Sequence, residues 1–157
     1  MRTIDWVDGG IEIIDQTALP ADLRVLRLTT VEELVAAIRS LAVRGAPALG
    51  VAGAFGVALA AHRHGDDPER LAHAVRTVET ARPTAVNLAR GARRAAALLP
   101  DGPDAVLAEA CAVRDEEIAA SAAMAARGAD LIVELCGVRG ANGKLLAASI
   151  IVALEMR

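Results

Sequence analysis

The sequence predicts an α+β fold, a small three-stranded antiparallel N-terminal sheet followed by a mostly helical body. Three observations point there. Asp8-Gly9-Gly10 separates two short, mixed-apolar stretches near the N-terminus, the pattern of a β-hairpin. From Thr30 onward, apolar residues recur at helical spacing, with capping signals between the stripes. Hydrophobic residues make up 54% of the 157-residue chain, and much of that apolar content is alanine, which suits closely packed helices.

The elements follow in order. Thr3 to Val7 and Ile11 to Asp15 are the hairpin strands, and Leu23 to Leu28 is a third strand with Arg24 and Arg27 outward. Three strands packed on helices are the minimum for a stable sheet. Thr30-Val31-Glu32-Glu33 has the spacing of a capping box, and Val31, Leu34, Val35, Ile38 and Leu41 form the stripe of a helix ending near Val43. A core helix from about Pro47 to Arg63 comes next, opened by a proline suited to a first turn. Its Gly50, Gly53 and Gly56 recur every three residues, each costing roughly 1 kcal/mol of helix stability relative to alanine. Close approach of a neighbouring backbone is the expected compensation. The uncharged run falls short of the roughly 18–20 residues that a membrane span needs.

The basic end His62-Arg63-His64-Gly65 suits a helix terminus. Asp66-Asp67-Pro68 caps another helix, to about Thr80, with the stripe Leu71, Ala74, Val75 and Val78. Arg82-Pro83-Thr84 reads as a second Arg placed immediately before a helix-initial Pro. Leu98 to Pro103 is a loop and the best internal break. Asp104 to Arg127 forms a long helix stopped by Gly128, and Leu131 to Leu135 continues the apolar pattern. The tail from Lys144 to Met156 is apolar enough for a last helix or strand. The domain reading is 1–136 for the main body, with a sheet over 1–28 and helices over 30–136, and 137–157 for the tail.

Arg44, Gly45 and Ala46 are the leading candidate binding residues, with Arg82 at the second corner. A helix start offers free amides and a positive dipole end, and an Arg adds a planar, permanently charged fork, which together suit a phosphate. A plain turn with its Arg in water is the competing reading of these residues. Thr84, Asn87 and Arg90 fall on one face of the helix expected after Pro83, either as a second anion-facing corner or as a solvated face. His62 and His64 lack a Cys or carboxylate pattern that would complete a metal site, so no metal is expected. Asp115, Glu116 and Glu117 are neighbours that point apart and read as a solvated helix face. Cys111 and Cys136 read as two reduced thiols. The net charge of -3 and the scarcity of aromatics argue against nucleic acid as a partner. The N-terminus has no apolar signal core, so a cytoplasmic location is expected, with no membrane partner.

The stretch RGAPALGVAGAFGVALAA, from Arg44 to Ala61, resembles the signature of the methylthioribose-1-phosphate isomerases, which are related to regulatory subunits of initiation factor 2B. Ala81 to Leu88, ARPTAVNL, is similar to that family's S-R-P-T-A-V-N-L block, with Ala81 in the Ser position. The opening MRTIDWVDGGIEIIDQTALP and the later RDEEIAASAAMAARGADLI follow the family in the same order, so the resemblance covers about residues 1 to 136.

The resemblance implies an aldose–ketose isomerisation in methionine salvage, taking 5-methylthioribose 1-phosphate to 5-methylthioribulose 1-phosphate without a cofactor. Phosphate on O1 blocks simple ring opening, so the reaction needs an anion clamp, an acid at the ring oxygen and a dry pocket. The resemblance places Arg44, Gly45, Ala46 and Arg82 among the substrate-binding residues and implies a homodimer for a full-length protein. It also implies a Thr-His-Cys-Asn block with an active-site Cys and a second, Rossmann-like half carrying an acid Asp. That block does not occur in these 157 residues, and the Leu-Cys-Gly setting of Cys136 does not match it. No catalytic residue is therefore assigned, and the 157-residue chain alone is expected to be inactive. A non-catalytic binding module like the initiation-factor relatives and a ribose 1,5-bisphosphate isomerase are the alternatives.

Overall fold

The computed structural model describes residues 2–136, which fall into two units, one ending at Arg114 and one beginning at Asp115. The expected last helix or strand over Lys144 to Met156 lies outside the described residues, as does the rest of the tail.

The first unit opens with β1 (Ile4–Val7), β2 (Gly10–Ile14) and β3 (Val25–Leu28), an antiparallel sheet in the order β1-β2-β3. Asp8 and Gly9 both have positive φ, 45° and 77°, the backbone hand that a two-residue hairpin turn demands. Register pairs Ile4 with Ile13 and Ile11 with Leu28, so these four apolar side chains are buried together on one face. The third strand begins at Val25 rather than Leu23. Leu23 is exposed, as an apolar residue outside the ladder has nothing to pack against.

Four helices follow in this unit before a fifth begins: α1 (Val31–Arg39), α2 (Ala46–His64), α3 (Pro68–Glu79), α4 (Val86–Ala96) and α5 (Pro103–Cys136), which continues into the second unit. The capping box at Thr30 forms: its Oγ1 accepts from the Glu33 amide at 3.2 Å, and the Glu33 carboxylate accepts from the Thr30 amide at 3.1 Å. The Thr29 amide donates to the same carboxylate at 2.6 Å and the Thr29 hydroxyl at 3.3 Å, and these donors, the Thr29 amide foremost, hold the Glu33 carboxyl below its ordinary pKa.

Helix α1 ends at Arg39, four residues before the sequence suggests. Leu41 takes a left-handed φ of 65° and is exposed, so it leaves the stripe, while Val43 folds back to donate to the Ala37 carbonyl at 3.2 Å. A left-handed residue cannot continue a right-handed helix.

Helix α2 is the centre of the unit. All residues from Leu49 to Ala61 are buried, with Phe55, Val57 and Leu59 among the most completely enclosed side chains. The sheet, α1, α3 and α4 surround it, and α4 is its principal neighbour. Complete burial of each such large side chain is worth roughly 1.5–3 kcal/mol. The expected backbone approach is found at Gly50 and Gly53, whereas Gly56 makes room for the side chains of Leu34 and Val78. A Cβ on Gly53 would sit 2.2 Å from the Leu88 carbonyl oxygen, and one on Gly91 would sit 1.9 Å from that of Gly50. The helices α2 and α4 therefore meet backbone to backbone, and glycine is what lets them.

Helix α3 runs as expected, with Asp67 accepting from the Arg70 amide at 3.0 Å and Ala74 and Val78 buried. The loop at Leu98 to Pro103 contains a 3-10 turn, Leu99–Asp101. Helix α5 passes through Gly128 without stopping. A glycine in right-handed conformation weakens a helix but does not end it, and Gly128 is not among the positive-φ glycines.

Three turns in, α5 is tied to the sheet by charge. Arg114 donates to Asp5 at 2.5 Å and lies 6.0 Å from the Phe55 ring centroid. Burial pushes the Asp5 pKa up, but hydrogen bonds from Arg2, Arg114 and the Trp6 amide outweigh it and hold the carboxyl below its ordinary value. Arg93 with Glu79 and Arg94 with Glu109 are further ion pairs between helices of this unit.

Candidate functional site

The two Arg corners are built differently. At the first, Gly45 has a φ of 93°, which favours glycine, and precedes the first residue of α2 with Pro47 in the opening turn. At the second, Arg82 to Ala85 form a closed turn in which the Ala85 amide donates to the Arg82 carbonyl at 2.9 Å. Pro83 is the second residue of that turn, where its fixed φ is favoured, and is not helix-initial. Helix α4 begins at Val86, after Ala85 has left the helical region. The turn is held from α1, since the Arg39 Nε donates to the Ala81 carbonyl at 3.4 Å.

One cleft of about 350 Å³ lies between these corners. Gly45, Ala46 and Leu49 line one side, and Arg82, Thr84, Ala85, Val86 and Asn87 line the other. The starts of α2 and α4 thus open on a common space. Neither start has a side-chain cap hydrogen bond. The first amides of a helix have no partner within it, so both starts offer donors and a positive dipole end to the same volume. Arg82 adds a full charge and Thr84 and Asn87 add neutral polar groups. Leu49, Ala85 and Val86 make the remainder apolar. This combination suits a small anion attached to a less polar body.

Of the four candidates from the sequence, Gly45, Ala46 and Arg82 line the cleft. Arg44 does not. Its Nε donates to Gln16 Oε1 at 3.2 Å and a terminal nitrogen donates to the Gln16 carbonyl at 2.9 Å. Of the residues expected on one face after Pro83, Thr84 and Asn87 reach the cleft, although Thr84 precedes the helix, and exposed Arg90 does not.

No protein-family model matches the chain. A methylthioribose-1-phosphate isomerase from Anaeromyxobacter sp. (strain K) is 51% identical over 122 residues, which cover 78% of this chain and 36% of that protein. The crystal structure of the 5-methylthioribose 1-phosphate isomerase from Pyrococcus horikoshii OT3 superposes with a TM-score of 0.76 at 31% identity, covering 82% of this chain and 40% of that one. The chain is similar to the N-terminal part of the methylthioribose-1-phosphate isomerases. The delta subunit of initiation factor eIF-2B from A. fulgidus is also similar, with a TM-score of 0.70 at 42% identity over 83% of this chain and 42% of that one. Among the first curated relatives, the chain spans between 27% and 42% of their length.

Beside this likeness to the isomerases, His62 has local partners. His62 Nδ1 lies 2.9 Å from the Ala58 carbonyl, and its other nitrogen lies 3.6 Å from Asp104. Among the described residues no cluster of His, Cys, Asp and Glu is arranged to hold a metal ion, and no helix is long and apolar enough to cross a membrane. Asp115 and Glu116 both have interaction partners. Cys111 is half-buried, and the side chain of Cys136 lies outside the described residues. Sequence reasoning missed Gln16. It is only 6% exposed and follows the end of β2, and a buried amide next to an apolar strand is the signal that could have found it.

Proposed function

We propose that this chain is the anion-binding part of a sugar-phosphate isomerase of methionine salvage, one that converts 5-methylthioribose 1-phosphate to 5-methylthioribulose 1-phosphate. The observation that carries the reading is the cleft, in which two helix starts without side-chain caps converge with Arg82. Gly45, Ala46 and Arg82 hold the phosphate, and Leu49 and Val86 border the less polar part of the substrate. In this reading the phosphate is gripped by fixed donors while the ring opens, so binding energy from the non-reacting end orients the reacting carbons. The acid and thiol of the family reaction come from the part of the relatives that these 157 residues do not match. A homodimer in the cytoplasm completes the proposal.

A second reading has its own support, the 42% identity to the initiation-factor subunit. There the cleft serves binding alone, without isomerisation. Titration of the purified chain with methylthioribose 1-phosphate, ribose 1,5-bisphosphate and inorganic phosphate, followed by amide shifts, tests the substrate assignment. Saturable shifts at Gly45, Ala46, Val86 and Asn87, strongest for methylthioribose 1-phosphate, are expected. Shifts elsewhere in the unit, or none, would refute the anion site. A preference for the bisphosphate would replace the substrate.

A further inference from the structure

We infer that Gln16 is the positioning residue of the first anion corner, acting through Arg44 to hold Gly45 and Ala46 in the cleft wall. The inference rests on the reading of the cleft as an anion site. Gln16 is nearly enclosed, and its side-chain amide is used at both ends. Nε2 donates to the Arg44 carbonyl at 3.3 Å while Oε1 accepts from Arg44 Nε at 3.2 Å. The Gln16 carbonyl accepts a second bond from the guanidinium at 2.9 Å, and its own amide donates to the Ala42 carbonyl at 3.1 Å. Four hydrogen bonds therefore join one residue after β2 to residues 42–44 of the α1–α2 connection. The residue before it is fixed as well. Asp15 accepts from the Thr17 amide and hydroxyl at 3.0 and 2.6 Å.

That connection needs an external anchor. It contains two left-handed residues, Leu41 at 65° and Gly45 at 93°, and α2 starts without a side-chain cap. Leu41 in that conformation is unfavourable and persists only where surrounding bonds impose it. The clip to Gln16 spans 28 residues of sequence and ends on Arg44, the residue directly before Gly45. It therefore decides where the first amides of α2 lie relative to Arg82.

The choice of an amide also has chemical sense. A glutamate could accept from Arg44 equally well, but it would neutralise the guanidinium and set a negative charge beside an anion site. The neutral glutamine orients Arg44 and leaves its charge in the field of the cleft.

The test is phosphate titration of the purified chain followed by amide shifts, for the parent and for Gln16→Ala, Gln16→Met, Arg44→Ala, the Gln16→Ala/Arg44→Ala double variant and Arg82→Ala. Gln16→Ala is expected to weaken inorganic phosphate roughly tenfold, and the double variant to lose clearly less than the sum of the two single losses, because the bond between the two side chains is shared while the bond from Gln16 to the Arg44 carbonyl is not. Should Gln16→Ala lose its amide dispersion, the near-isosteric Gln16→Met decides, since it removes both side-chain bonds without adding charge, and it too is expected to bind phosphate more weakly. Three results overturn the inference. If Gln16→Ala (or Gln16→Met, where it decides) binds phosphate like the parent while Arg82→Ala does not, Gln16 has no positioning role and the anion reading stands. If the Gln16 and Arg44 effects add in full, Gln16 does not act through Arg44. If the parent itself binds no phosphate, the anion reading fails and takes the inference with it.

Discussion

Replacing Gly91 by alanine tests whether the α2–α4 contact shapes the site. The added methyl carbon would lie 1.9 Å from the Gly50 carbonyl oxygen and 2.8 Å from its carbon, both backbone atoms in the buried stretch of α2. Side-chain rotation cannot relieve either contact. To reach even 3.0 Å from the oxygen, α4 must move about 1 Å away from α2. Overpacking of this kind costs about 1–3 kcal/mol, and a rigid backbone obstacle belongs at the upper end. Alanine returns roughly 1 kcal/mol of helix propensity. The net loss is about 2 kcal/mol, equivalent to a fall of roughly 6–10 °C in Tm for a unit of this size.

The same displacement should reach the cleft, because Gly50 lies one turn after the start of α2 and Gly91 little more than one turn after the start of α4. Thermal unfolding by circular dichroism and a phosphate titration on the same sample give both numbers. A lower Tm with weaker phosphate binding is expected. An unchanged or higher Tm would mean that the helices do not touch here and that the glycine was only a helix weakness. A lower Tm with intact phosphate affinity would sever the link between this contact and the cleft.

Other outcomes follow from the same contacts. Arg82→Ala should weaken phosphate about ten- to hundredfold, the worth of a charge-assisted contact of roughly 1.5–3 kcal/mol, while exposed Arg90→Ala, outside the cleft, should leave it within twofold in isothermal titration. Asp5 has a folded pKa below its ordinary 3.8, so its stabilisation is complete above that value and is lost as pH falls through the lower folded value. Urea unfolding of the parent at a series of acid pH values should show this loss, and Asp5→Asn should be less stable at neutral pH and flatter over the same range. Thr30→Ala removes the cap of α1 and should cost about 1 kcal/mol in a urea melt, with Thr30→Ser close to the parent.

The elements that the sequence made legible are those whose cause is local. A turn such as Asp8-Gly9, a capping box such as Thr30 to Glu33 and a cap such as Asp67 before Pro68 involve neighbours within one turn of chain, and all three formed. The spacing of Gly50, Gly53 and Gly56 announced a close approach, because no local gain offsets three helix-weakening residues. It could not say that α4 would be the visitor at Gly53. The boundaries failed where a distant contact overrides local preference. Leu41 continues the α1 stripe by spacing, yet the chain turns there to bring Ala42 and Arg44 to Gln16.

The two Arg corners carry the same lesson into the site. In sequence they look alike, an Arg shortly before a proline and a helix. In the structure only Arg82 lines the cleft. Arg82 lies in a turn whose backbone closes on itself through the Ala85 amide, so its side chain has no structural duty there and is free to line the cavity. Arg44 lies in a connection with two left-handed residues and no side-chain cap, and its guanidinium is spent on Gln16. The difference is decided by a residue 28 positions upstream that no local pattern around Arg44 names. It follows that the same substitution should fail differently at the two corners. Arg82→Lys keeps a charge in the cleft and should retain part of the phosphate affinity. Arg44→Lys keeps a charge but cannot make two bonds to Gln16 in the plane of one fork, so the anchor of Gly45 and Ala46 keeps only its two bonds to backbone carbonyls. An Arg44→Lys variant whose Gly45 and Ala46 amide shifts match the parent would show that the clip does not set the corner.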